Sequence, residues 1–169
     1  MKKIILIFSC FLLAGNICLA QNELTEKTRK AKQSDMTGTW MMIYQTVSPL
    51  FIDKSLFFAS YQIFDFSENG YVKNIASNNK LEKKKINSLF QRMPQGTVYG
   101  FMDEGLLIIE RSKKDSDNIA IFIAVADFKK NLRSGAPLLK KGDLIFSYLD
   151  DKKNLFMQRY LRRMDLRSD

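Results

Sequence analysis

From Met36 onward, apolar and polar residues alternate with period two in short runs, and turn residues separate the runs. That is the signature of half-buried β-strands. The first run, Thr39 to Val47, places Trp40, Met42, Tyr44 and Thr46 on one face and Met41, Ile43, Gln45 and Val47 on the other. Tyr61 to Phe66 leads into Ser67-Glu68-Asn69-Gly70 and then Tyr71 to Ala76. Asn-Gly supplies the positive φ of a tight hairpin, so these two strands are expected to pair. Thr97 to Met102 turns at Asp103-Glu104-Gly105 into Leu106 to Arg111. Ile119 to Ala126 puts Ile119, Ile121, Ile123 and Val125 on one face and Ala120, Phe122, Ala124 and Ala126 on the smaller one. Leu144 to Leu149 and Leu155 to Arg162 flank a turn at Asp150-Asp151-Lys152-Lys153.

Eight strands with near neighbours in sequence predict an all-β fold, an eight-stranded up-and-down antiparallel barrel. Closure of the meander removes both unpaired edges. Two connections are long and apolar. Ser48 to Ser60 carries Leu50, Phe51, Ile52, Leu56, Phe57 and Phe58. Ser77 to Gln95 holds Leu81, Ile86, Leu89, Phe90 and Met93 at helical spacing opposite Lys83, Lys84 and Lys85. The second predicts a short helix between the third and fourth strands, capped at Asn79 and stopped by Pro94. In an up-and-down barrel both connections fall at one end, where they are expected to form a lid, while the tight turns fall at the other. The long Asp127 to Asp143 connection is the misfit at the tied end. Residues 21–35 are polar and predict a flexible leader; residues 36–163 make the barrel domain and 164–169 a tail.

Residues 1–20 predict a signal peptide: Lys2 and Lys3, an apolar stretch from Ile4 to Leu13, and small residues before a cut near Ala20. The expected location is periplasmic or secreted. A transmembrane span fits less well because the run is short and a polar stretch follows. Lipid attachment at Cys10 fits loosely but leaves too short an apolar run before it, and Cys18 fits worse, with Asn16 and Ile17 where small residues belong. Cleavage would remove both cysteines of a chain that has no histidine, and would lower the formal charge from +9 to +7 through loss of two lysines. Thiolate nucleophiles, His-based triads, Cys/His zinc sites and histidine-ligated haem are thereby excluded. No cofactor or metal is expected. Asp115 and Asp117 fit a solvated turn, Asp65 a turn cap, and paired-carboxylate hydrolysis through Asp65 and Glu110 is the weaker alternative. The expectation is a protein that is not an enzyme. Lysine pairs such as Lys113-Lys114 and Lys140-Lys141 fit solubilising turns, or else contact with an anionic membrane surface or polyanion. Nucleic acid is not an expected partner of an exported chain.

Gly38-Thr39-Trp40 resembles the Gly-x-Trp signature of lipocalins and related calycin barrels. The resemblance extends to Phe64-Asp65-Phe66-Ser67-Glu68-Asn69-Gly70-Tyr71, like the strand–turn–strand of bacterial lipocalin-like domains, and to the closing strand Leu155 to Arg162. The lipocalin Thr-Asp-Tyr motif is absent. The resemblance implies a Trp40 at the closed end with an Arg of the last strand across its indole, Arg159 or Arg162. It also implies non-catalytic binding of a small apolar or amphipathic molecule. Tyr44, Phe51, Phe57, Phe58, Tyr61, Phe101, Phe122 and Tyr148 are the aromatic candidates for barrel and lid. Lys54, Lys83, Lys84 and Lys113 are candidates for an anionic head group near the mouth. Ala120 and Ala124 favour an internal space if their face points inward. The alternative function is an envelope interaction module: a filled barrel that docks onto another protein through the apolar loop at Phe51, Phe57 and Phe58.

Overall fold

A computed structural model describes residues 28–48, 59–102, 105–109, 119–131, 136–149 and 154–166. The signal-peptide segment, Cys10, Cys18, Lys54, Glu110, Lys113, Asp115, Asp117 and the three phenylalanines at 51, 57 and 58 lie outside the described residues. The elements in chain order are β1 (Thr28–Lys30), α1 (Gln33–Met36), β2 (Gly38–Val47), β3 (Tyr61–Phe66), β4 (Tyr71–Ser77), α2 (Lys83–Arg92), β5 (Thr97–Met102), β6 (Leu106–Ile109), β7 (Ile119–Ala126), β8 (Lys130–Asn131), β9 (Leu138–Leu139), β10 (Leu144–Leu149) and β11 (Leu155–Arg163). Strands β2 to β7, β10 and β11 pair antiparallel with their neighbours around a closed eight-stranded barrel, with β11 on β2 completing the circuit. The expected strands therefore stand, and so does the expected closure.

Inward-facing residues make one continuous core. Trp40, Met42, Phe64, Phe66, Val72, Tyr99, Leu107, Ile121, Ile123, Leu144, Phe146 and Leu161 are all buried in it. Its centre is aromatic: the Phe66 ring meets Tyr99 edge-on at 5.4 Å and Phe146 at 6.1 Å between centroids.

The outer wall is covered in two places, each explained by apolar residues on the second face of a strand. Helix α2 lays Ile86 and Phe90 on Ile63 and Ile75, which point outward from β3 and β4. It thus packs on the side of the barrel and does not lid its mouth. Its first residue is Lys83, after Glu82, so Asn79 is not its cap; Asn79 instead donates its backbone N–H to the Ser77 hydroxyl. Met164 and Leu166 of the expected tail join the same cluster. The long connection after β7 forms the β8–β9 hairpin. Leu139 there packs with Ala126, Ile145 and Tyr160 on the outer face of β7, β10 and β11. Buried Asp143 anchors this cover. Its carboxylate accepts from Arg162 Nε at 3.0 Å and Nη2 at 2.6 Å, while Arg162 Nη2 also donates to the Leu138 carbonyl.

Over a third stretch of wall, no such cover is present among the described residues. Met102, Leu106 and Phe122 stand in one cross-strand row of β5, β6 and β7, and Gly100, Ile108 and Ala120 in the next. Val98 and Met102 are 46% and 52% exposed. The small face of β7 therefore points out and its isoleucine face points in, which removes the argument for internal space from Ala120 and Ala124.

Residues 28–35, whose polarity predicts a flexible leader, are structured within β1 and α1. The edge of β7 is served by β6 only as far as Phe122. Ala31 N–H then takes the Ile123 carbonyl at 3.1 Å, and β1 pairs with Ala124, Val125 and Ala126. Gly105 makes the handover feasible: at φ +79°, an added Cβ would lie 2.5 Å from that same carbonyl. The polar side chains of this segment are used in pairing. Arg29 binds Asp35 through two 2.7 Å hydrogen bonds, which holds the Asp35 carboxyl below the usual range, and Asp35 also accepts the Lys32 N–H.

The base of the barrel is closed around Trp40. Its Nε1–H donates to the Met36 carbonyl at 2.7 Å, which fixes α1 beneath the barrel. An arginine does lie over the indole, but it is Arg163, with its guanidinium carbon 5.3 Å from the ring centroid. Arg163 also donates to the Thr37 carbonyl. Register is the reason: Arg163 is the direct partner of Trp40 across β11 and β2. Arg159 sits two inward positions further along β11, and Arg162 faces outward to Asp143. Gly38 at φ +115° completes the arrangement, since a Cβ there would press on Arg163 at 3.3 Å. Trp40 is 3% exposed. Trp40→Ala is expected to destabilise the protein by about 3–5 kcal/mol. Urea unfolding followed by far-UV circular dichroism checks this; a midpoint equal to wild type would contradict the role of the indole.

Candidate functional site

One irregularity decides what lines the upper half of the barrel. On β2, Met42 pairs with Leu161 of β11 and Tyr44 with Tyr160, so Ile43 is the extra residue of a β-bulge. Below the bulge Trp40 and Met42 point inward. Above it the parity is reversed: Gln45 and Val47 face inward with Arg159 and Met157, their partners on β11. Tyr44 is thereby turned out against Tyr160, at 5.9 Å between ring centroids. Strict alternation along β2 had put Trp40 and Tyr44 on the same face.

The bulge lies where β2 leaves β3. Pairing between them runs from Gly38 with Phe66 to Met41 with Ile63 and goes no further. Between the parted strands is a pocket of about 370 Å³, lined by Met42, Ile43, Tyr44 and Gln45 on one side and Ala59 and Ser60 on the other. Its β2 lining mixes inward residues (Met42, Gln45) with outward ones (Ile43, Tyr44).

Behind this opening stands a buried polar group. Arg159 is 4% exposed, yet points into the barrel from β11. Its Nε donates to Gln45 Oε1 at 2.9 Å and its Nη1 to the Tyr148 hydroxyl at 3.2 Å. The guanidinium carbon also lies 5.2 Å from the Tyr148 ring centroid. An arginine keeps its charge at any ordinary pH, and an interior position makes that charge costly unless hydrogen bonds hold it. Burial pushes the Tyr148 phenol above its ordinary pKa, while the nearby Arg159 cation and hydrogen bond oppose that rise. Phe156 meets the Tyr148 ring at 6.2 Å, and it, Val47, Ile109 and Ile119 are half-buried against the core.

Of the aromatic candidates, Tyr148 lies in this interior group and Tyr44 on the outer lip of the pocket. Phe101 faces inward from β5, half-buried against the core. Tyr61 shares the outward parity of Ile63, and Phe122 is on the outer face of β7, so neither lines the barrel; in both cases the face was the point that strand parity alone left open. Lys83 and Lys84 are on α2, outside the wall, and not at a mouth. Asp65 does not cap the turn after β3: it accepts the Thr39 hydroxyl at 2.9 Å, and Ser67 closes the turn with Tyr71. Gln45 and Met42 were missed as site residues. A polar Gln in the middle of an apolar strand was the only available signal. Among the described residues no three His, Cys, Asp or Glu side chains gather as a metal site.

No family model, curated protein or solved structure matches this chain.

A buried phenol with a raised pKa links pH to stability. The folded state favours the neutral form, so the contribution of Tyr148 is complete below the ordinary tyrosine pKa of about 10 and is lost as pH rises through the higher folded value. Alkaline titration by absorbance near 295 nm is expected to show a late-ionising phenol that Tyr148→Phe removes. A variant whose titration curve loses only an ordinary step would contradict this burial.

Proposed function

We propose that this chain is an exported, lipocalin-like protein that binds a small apolar or amphipathic molecule without transforming it. The observation that carries the proposal is the opening beside the β2 bulge. Its volume of about 370 Å³ lies within the range typical of small-molecule sites. Its lining combines apolar Met42 and Ile43 with Tyr44 and Gln45, the mixture by which a pocket buries a hydrocarbon body and orients a polar end. The closed base supports the same reading. Trp40, Phe64, Phe66 and Phe146 fill that part of the barrel with side chains, so the place for a guest is the pocket beside the bulge. The likeness of Gly38-Thr39-Trp40 to the lipocalin signature agrees with this division. Export rests on the amino-terminal pattern of Lys2, Lys3 and the apolar run that follows.

Native mass spectrometry against a panel of eight- to sixteen-carbon alcohols and acids tests the proposal. The expected result is a one-to-one adduct with at least one member, weakened tenfold or more in Ala59→Trp, which fills the pocket from its far lip. Absence of any adduct, or an adduct indifferent to Ala59→Trp in a folded variant, would overturn it.

A further inference from the structure

We infer that the seam between β4 and β5 is a docking site for an extended acidic peptide of a partner protein, which adds a strand along the free edge of β4. β4 meets β5 only at Tyr71 with Val98 and Val72 with Thr97, while on its other side it pairs with β3 as far as Ser77. Gly96 marks that limit. At φ +96° it brings the chain so close to β4 that a Cβ would lie 2.6 Å from the Val72 carbonyl, and the residues before it lead away to α2. The Tyr71 carbonyl accepts the Ser67 N–H on the β3 side, and the Gly70 carbonyl accepts the Tyr99 N–H on the β5 side. Antiparallel ladders alternate, so Asn74 and Ala76 turn their backbone N–H and C=O groups to the β5 side, beyond its first residue Thr97. No backbone hydrogen bond on that side reaches them among the described residues. Both residues are exposed, although they share the inward parity of buried Val72. The usual guards of an open edge are missing. Tyr71–Ser77 has no bulge and no proline, and the Lys73 ammonium is engaged with the Phe90 carbonyl at 2.9 Å.

The charge of the partner follows from α2, which packs on the outer face of this same stretch through Ile75, the residue between Asn74 and Ala76. The end of the chain comes from the β2 side, where Met164 N–H takes the Thr39 carbonyl, and meets one flank of the helix, where Asn87 Nδ2 donates to the Leu166 carbonyl at 3.4 Å. At 3.6 residues per turn the other flank, toward the seam, carries Lys85 and Arg92. Both are exposed, neither forms an ion pair among the described residues, and α2 contains no acid. Seven residues of helix set them about 10 Å apart, the reach of three strand residues. An added strand turns alternate side chains outward to these cations and the others toward the barrel. Acidic residues at alternate positions with apolar ones between them are the complementary pattern.

The test follows the fluorescence anisotropy of a labelled hexapeptide of alternating glutamate and valine as the protein is added. A lysine–valine analogue and a glutamate–valine peptide N-methylated along its whole backbone are the comparisons. The glutamate–valine peptide is expected to bind, and each analogue to bind more weakly by about tenfold or more, the worth of one or two hydrogen bonds or charge contacts. Ala76→Pro removes an N–H that the β3 ladder does not use, and is expected to weaken binding by the same factor with an unchanged far-UV spectrum. Lys85→Glu combined with Arg92→Glu is expected to reverse the preference in favour of the lysine–valine peptide. A glutamate–valine peptide that fails to bind, or that binds as well when N-methylated, would overturn the inference whether or not Ala76→Pro folds. Capture by phosphatidylglycerol vesicles in place of the peptide, lost in the double charge variant, would also overturn it and assign the cations to a membrane surface.

Discussion

The Trp40 indole joins α1 to the last strand of the barrel. Its N–H holds α1 through the Met36 carbonyl, its ring lies under Arg163 of the last strand, and Arg163 returns to the Thr37 carbonyl, 126 residues away. Each contact is modest alone. Together they set the register of β11 on β2, and that pairing turns a meander into a barrel. Everything further along those two strands inherits its position from this end.

What it inherits is altered once, by the bulge at Ile43. Without it, the residues above Met42 would continue the alternation and Tyr44 would point into the barrel. With it, Gln45 is aligned with Arg159, and a neutral amide and a phenol hold a buried cation by hydrogen bonds. Replacing such a group by an apolar residue is often harmless to stability, whereas leaving the charge in place and removing its partners is not. A buried arginine is thus weak evidence for a purely structural role, and its position behind the wall opening gives it a chemical context. The bulge lies just past Met41, where the pairing of β2 with β3 ends, and the pocket lies beside it.

Much of the fold was legible because its signals are local. Alternation and the Asn69-Gly70 turn mark strand positions without any knowledge of partners. Faces were less legible. The motif Tyr61-Gln-Ile-Phe-Asp-Phe66 has an apolar Ile63 opposite Phe64 and Phe66, and Ile145 stands opposite Leu144 and Phe146. Such two-sided strands announce a cover on the outer wall, but not which segment supplies it; α2 and the β8–β9 hairpin proved to be the covers. The bulge left no local mark, because two residues facing one is a property of the pair of strands. The polar leader was misjudged for a related reason. Thr28 to Lys30 buries little, and its order comes from backbone pairing along β7 and the Arg29–Asp35 ion pair. The Arg over the indole was a choice among close neighbours that only the register of β11 could make.

Joining residues as distant as Gln45 and Arg159, 114 positions apart, has a kinetic side. Contacts of such long sequence separation are made against a large loss of chain freedom and tend to come late in folding. Until the final strand arrives, β2 and β10 each present an open row of amides and carbonyls, the arrangement that recruits foreign strands. A chain cut short before Leu155 would keep nearly all of its apolar interior and lose the seal around it. Such a fragment would be a template for association with its own kind rather than a smaller version of the same protein.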